Sequence, residues 1–173
     1  MVAYAYRMPV AVAPGEVNRA HPCSIEPTGV SATTPPTGFG QAVVIDTAGN
    51  SGVRLVQAGD SALTDVYGIT VRPYPYQAGS AGAYGTAQLG GGTPALNQPM
   101  DVLRSGYIVV AVNGSPKKGQ PVFVWCAASG GGHVQGAFEA AASAGNTIAI
   151  GGSKTTFNGT PDATGLVEIA YNV

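Results

Sequence analysis

The chain has 173 residues, a formal net charge of −1 and only 10% charged residues, where about 25% is usual for a soluble domain. With 45% hydrophobic residues it can bury a sizeable core as one domain, residues 1–173, and it lacks the composition of a disordered chain. No basic cluster exceeds Lys117-Lys118, and no window approaches the ~18 uninterrupted apolar residues of a membrane span, which argues against nucleic-acid and membrane partners.

Gly (26) and Pro (13) together exceed a fifth of the chain, so an all-β fold with many connections is expected. A surface so poor in charge points toward an assembly that covers much of it. Cys23 and Cys126 lie far apart with no metal-type spacing and read as two reduced, buried thiols. The start, MVAYAYR, lacks the charged opening and long apolar core of an export signal, so folding in a reducing cytosol is expected.

Residues 1–13 suggest an N-terminal arm. Positions 4–12 are apolar with Arg7 and Pro9 inside, which suits an edge strand or an extended segment. Residues 24–26 (SIE) predict a short strand before Pro27. A polar surface loop follows at 31–38, kept from helix by Pro35-Pro36. QAVVID (41–46), a turn at 47–52 and VRLVQ (53–57) predict strand, turn, strand, with Val53, Leu55 and Gln57 alternating with Arg54 and Val56. Another turn at 58–60 leads to a strand at 66–72 (VYGITVR). Pro73 and Pro75 end it and hold Tyr74 and Tyr76 extended. Residues 77–98 are glycine-rich without apolar periodicity and read as a long loop, of the kind that contacts something or moves. A short helical turn is expected at 100–103.

The most apolar part of the chain is 105–126, SGYIVVAVNGSPKKGQPVFVWC. Its aromatic and β-branched runs, 107–112 and 122–125, suit a pleated surface, and the polar, turn-forming residues between them predict an antiparallel pair joined by an exposed loop. Residues 129–132 are a glycine turn. HVQGAFEAAA (133–142) is balanced between helix and strand and is read as strand. Strands at 146–150, 155–157 and 166–171 finish the chain. About ten short strands predict a jelly-roll-like sandwich or barrel.

Little of the chain suggests chemistry. Gly59-Asp60-Ser61 begins like the esterase motif GDSL, but Ala62 stands fourth and such enzymes need an α/β framework, so a turn is the simpler reading. No G-x-S-x-G elbow is present. His133, alone after three glycines, reads as a solvated loop residue. His21-x-Cys23 with Cys126 and His133 lacks the spacing of structural zinc sites. Gly90-Gly91-Gly92 lacks the Lys-Ser/Thr and helix of a phosphate cradle. Asn113-Gly-Ser and Asn158-Gly-Thr match the glycosylation sequon but are more simply turns. The expectation is no catalytic, cofactor-binding or metal-binding residue and no small-molecule substrate. There remain Arg72, Tyr74 and Tyr76, a guanidinium beside proline-pinned rings. They suit a protein contact surface, and they would serve equally to cover one end of a barrel.

Several segments together resemble a known family. They are MPVAVAPGEVNR (8–19), PPTGFGQAVVI (35–45), AGD (58–60), VYGITVRPYP (66–75), DVLRSGYIVVAVN (101–113), GQPVFVW (119–125), GAFEAA (136–141), NTIAI (146–150) and VEIAYNV (167–173). In this order over almost the whole chain, they are similar to the structural cement (decoration) proteins of tailed-bacteriophage capsids, with VYGITVRPYP and DVLRSGYIVV the most specific. The resemblance implies a non-enzymatic, β-rich, jelly-roll-like domain without cofactors. It would be made in the host cytoplasm and bind the outer capsid surface in the virion. Its partners would be the major capsid protein and itself, as homodimer or homotrimer, with the N-terminal arm and Arg72, Tyr74 and Tyr76 as contacts. Two other readings compete. A tail, fibre or glycan-binding module would place aromatic rings beside carboxylates, a grouping the sequence does not show. A small β-scaffold hydrolase would have only Ser61, His133 and Asp60 or Asp65 to work with.

Overall fold

The computed structural model describes residues 13–48, 52–60, 66–73, 93–94, 96 and 98–173. The β-branched and aromatic runs form ten strands: β1 (Ser24–Val30), β2 (Ala42–Ile45), β3 (Gly52–Leu55), β4 (Val66–Thr70), β5 (Pro99–Asn113), β6 (Phe123–Trp125), β7 (Phe138–Glu139), β8 (Thr147–Ala149), β9 (Thr156–Phe157) and β10 (Leu166–Tyr171). The only helical element among the described residues is a single 3-10 turn, Gly152–Lys154. The fold is all-β.

All ten strands belong to one sheet, and β5 is its spine. Its first half closes a ring: β1 pairs β3, β3 pairs β2, β2 pairs β4, and both β4 and β1 pair β5. Its second half closes another. Here β5 pairs β10 and β10 pairs β9, while on the other side β5 pairs β7 in parallel and β7 pairs β6. The segment entering β6 meets β9, since Pro121 bridges Thr156 and the Gly119 N–H donates to the Phe157 carbonyl at 2.8 Å. Closure into rings removes most sheet edges.

The two halves of β5 meet at Gly106. Its φ is +136, and a Cβ there would stand 2.8 Å from the Pro22 carbonyl oxygen, so only glycine lets one strand pass from the first ring to the second.

The larger core cluster runs through both rings and includes Val44, Ile69, Leu103, Ile108, Val110, Phe138, Phe157 and Ile169. A second, smaller cluster of Val30, Val43, Val53, Met100 and Val102 comes from four strands of the first ring. Each such side chain contributes about 1.5–3 kcal/mol when fully buried.

Three local expectations give way. Residues 100–103 are strand: Val102 and Leu103 pair with both β1 and β4, and a backbone flanked on two sides satisfies its hydrogen bonds laterally. The runs at 107–112 and 122–125 do not pair with each other, because β7 lies between β5 and β6. Of residues 133–142 only Phe138–Glu139 is strand, since glycines and turns flank it. The 4–12 segment and residues 77–92 lie outside the described residues.

Candidate interaction surface

Residues 13–19 form a strap along the edge of β5 between β4 and β7. The Gly15 N–H donates to the Val109 carbonyl at 2.8 Å, the Val109 N–H to the Glu16 carbonyl at 2.9 Å, and Val17 bridges Ile108. Gly15 has φ +88, and a Cβ there would lie 2.6 Å from Phe39 Cβ, so the strap approaches its neighbour too closely for any other residue.

Arg72 holds the front of this strap. Its backbone N–H donates to the Gly15 carbonyl at 2.8 Å and its Nε to the Pro14 carbonyl at 3.1 Å, and its guanidinium lies 5.2 Å from the Phe39 ring centroid. Arg72 is thus joined to the start of the strap at Pro14 and Gly15. Arg19 holds the back, paired with Glu168 at 2.6 Å and lying 4.1 Å over the Tyr107 ring. Tyr74 and Tyr76 lie outside the described residues.

A second arginine–tyrosine stack stands at the first ring. Arg104 lies 3.8 Å over the Tyr67 ring, the Tyr67 hydroxyl donates to Glu26, and Arg104 Nε is 3.5 Å from the same carboxylate. The hydrogen bond to Glu26, with partial burial adding to it, pushes the Tyr67 hydroxyl above its ordinary range. Beside the stack is an open groove of 520 Å³ lined by Val44, Ile45, Arg54, Asp60, Tyr67 and Arg104 among others. Asp60 is claimed by Arg54 through two bonds of 2.8 Å. Partial burial opposes its ionisation. The hydrogen bonds from Arg54 and the Gln57 N–H, with the charge of Arg54, outweigh that and hold its carboxyl below the usual range.

His133 is not the solvated loop residue expected. Its ring stacks on Trp125 with centroids 3.9 Å apart and planes 8° apart, and its Nδ1 is 2.7 Å from Glu139 Oε1. Asn113 Nδ2 donates to Glu139 as well. This cluster orders the 127–137 loop against the end of β5. Asp60 and His133 are thus committed to structural contacts, and Ser61 and Asp65 lie outside the described residues. Cys126 is buried and Cys23 partly buried, both free thiols. Burial pushes the Cys126 thiol up. Among the described residues no group of three or more His, Cys, Asp or Glu is placed to hold a metal ion.

The surface features are thus tied-down arginines, stacked tyrosines and a strap, which suit adhesion. The family model of the XM1 gp53 minor capsid protein matches residues 1–171. The chain belongs to that family. Membership gives it a structural role in a phage capsid and a place in the virion. A chain in a solved structure described as "The capsid of Myoviridae Phage XM1" shares the fold, with a TM-score of 0.63 at 19% identity over 99% of this chain and 98% of that one. No curated protein matches. The expected contact residue Arg72 is bonded within the chain to Pro14 and Gly15, and the sequence reading did not foresee the pairings of Arg19 with Glu168 and of Arg104 with Tyr67. Arg19 and Glu168 are 149 positions apart, and no local pattern announces such a pair.

Proposed function

We propose that this capsid protein is a cement, or decoration, protein that self-associates, binds the outer surface of the assembled shell through the major capsid protein, and performs no catalysis. The observation that carries this reading is the bond from Arg72 to Gly15. It ties Arg72 to Gly15, and these residues adjoin in sequence the two segments with the strongest contact character, the N-terminal arm and residues 72–76. The reading assigns capsid contact to Tyr74, Tyr76 and the apolar residues of the arm, residue types that suit interface cores.

The mechanism is mass action. A protein that binds only the mature lattice lowers that lattice's free energy, and many identical sites make a modest contact large in aggregate.

Co-sedimentation with mature and precursor shells tests this. The parent is expected to pellet with mature shells only, and a Tyr74→Ala/Tyr76→Ala protein to stay in the supernatant. Undiminished decoration by that double variant rejects the contact assignment, and a parent that pellets with neither shell rejects the function.

A further inference from the structure

The chain has two Asn-Gly pairs, Asn113-Gly114 and Asn158-Gly159, and the fold treats them differently. Asn113 closes β5, and both it and Gly114 are exposed. Its side-chain amide ends between two titratable groups. Nδ2 is 3.0 Å from His133 Nδ1 and 3.4 Å from the buried Glu139 Oε1, and the same Nδ1 is 2.7 Å from Oε1. The Asn113 carbonyl accepts from the Ala140 N–H at 3.0 Å, whereas the Gly114 N–H donates to no acceptor among the described residues. Only glycine fits at 114, where φ is +96 and a Cβ would stand 2.9 Å from that of Ala140. The fold therefore keeps an unbonded, unhindered backbone nitrogen next to an amide that faces an imidazole. Asn158 is half-buried, and its amide donates to the Glu168 carboxylate instead.

We propose that Asn113 is a site of spontaneous deamidation, promoted by His133. The Gly114 nitrogen loses its proton to water and attacks Asn113 Cγ, forming a tetrahedral centre. Nδ2 thereby becomes an amine with a lone pair, 3.0 Å from His133 Nδ1. His133 gives it the Nδ1 proton as a general acid, the Cγ–Nδ2 bond breaks, ammonia leaves and a succinimide ring remains. The proton shed by Gly114 replaces the one His133 gave, through water. Hydrolysis then opens the ring at either carbonyl to aspartate or isoaspartate, so the net change is water in and ammonia out. Either product acts on the loop that covers Trp125. A carboxylate at 113 replaces a donor beside Glu139, and the two acids compete for the one Nδ1 proton. Isoaspartate also lengthens the backbone where the Asn113 carbonyl holds Ala140. A virion replaces none of its parts, so the change accumulates with the age of the particle.

Peptide mapping by mass spectrometry over a time course at neutral pH tests this on the full folded chain, with isoaspartate separated from aspartate by chromatography. Asn113 is expected to convert ahead of Asn158. In guanidinium, where both pairs are free, the two should convert alike. His133→Phe keeps a ring on Trp125 and lacks Nδ1. It should slow conversion at Asn113 by at least about tenfold and leave Asn158 unchanged. His133→Gln, which has no acidic proton, carries the same expectation and decides should the phenylalanine variant fail to fold. Asn113→Asp installs one product directly and should shift the Trp125 emission to the red. An Asn113 that stays an amide in the folded chain, or converts no faster than Asn158, overturns the site. Folded variants at 133 that convert at the parental rate overturn the part given to His133. An Asn113→Asp protein that emits like the parent overturns the effect on the loop.

Discussion

Arg19 closes on Glu168 through two bonds, Nη2 to Oε1 at 2.6 Å and Nε to Oε2 at 3.2 Å, and so staples the strap to β10. The Glu168 side chain is 7% exposed, and Asn18 and Asn158 donate to it as well.

Glu168→Ala leaves these donors without their shared acceptor. Because Arg19 is 39% exposed and regains water, the expected loss is about 2 kcal/mol rather than that of a fully buried pair, read by chemical denaturation. The Gly15 amide, bonded to Val109 further along the strap, should exchange faster in this variant. A strap that stays protected would mean that Arg72 and the β5 ladder hold it unaided.

Asp60 predicts an acid limb of stability. Its carboxyl is held below the ordinary value, so the folded state binds its proton less readily than the unfolded chain. The Arg54–Asp60 contribution is therefore full above the unfolded carboxylate value and is lost as pH falls through the lower, folded value. Asp60→Asn should lower stability at neutral pH by about 1–3 kcal/mol and flatten the acid side of the stability curve. Denaturation midpoints measured from neutral to acid pH check both. Equal slopes for parent and variant would place the acid sensitivity elsewhere.

Gly68 and Gly29 separate close approach from tolerance. A Cβ at Gly68 would stand 2.5 Å from Val102 Cγ1 and 2.4 Å from the Leu103 carbonyl oxygen, whereas nothing lies within 4 Å of one at Gly29. Gly68→Ala must push β4 off β5 where the first ring closes, an overpacking cost of about 1–3 kcal/mol or more. Gly29→Ala should be neutral or slightly stabilising, since alanine narrows the unfolded ensemble. Thermal unfolding of the two variants side by side checks the contrast.

What the sequence disclosed depended on how each strand is buried. Strand β10 was legible because Val167, Ile169 and Tyr171 are buried and the residues between them half-buried, a period-two signal. The opening of β5 was not. Pro99 to Leu103 is strand because β1 and β4 flank it, and that lateral pairing leaves no local trace. Strand β7 is two residues long, too short for any periodicity, yet it decides that β5 and β6 stay apart. Arg72 stood out beside its prolines and tyrosines, yet its bonds to Gly15 and Pro14, 57 and 58 positions away, have no local sign. Glu168 and Glu26 looked like ordinary scattered acids, because the arginines and tyrosines that define them arrive from distant strands.

Trp125 is the only tryptophan in the chain, which makes its emission a direct report on the loop that covers it. The residue is 8% exposed, the His133 ring lies parallel on its indole at 3.9 Å, and its Nε1 donates to the Ala128 carbonyl at 3.2 Å. Removing the imidazole opens one face of the indole to water and leaves Glu139 without its 2.7 Å contact. His133→Ala should shift the emission to the red, raise quenching by acrylamide and lower stability by about 1 kcal/mol, as loss of a stacked ring pair does. His133→Phe restores the stack without the bond to Glu139. It should recover the emission while leaving part of the stability loss, which divides the packing contribution from the polar one. If both variants emit like the parent, the glycines around 130–132 rather than the stacked ring set the position of the loop.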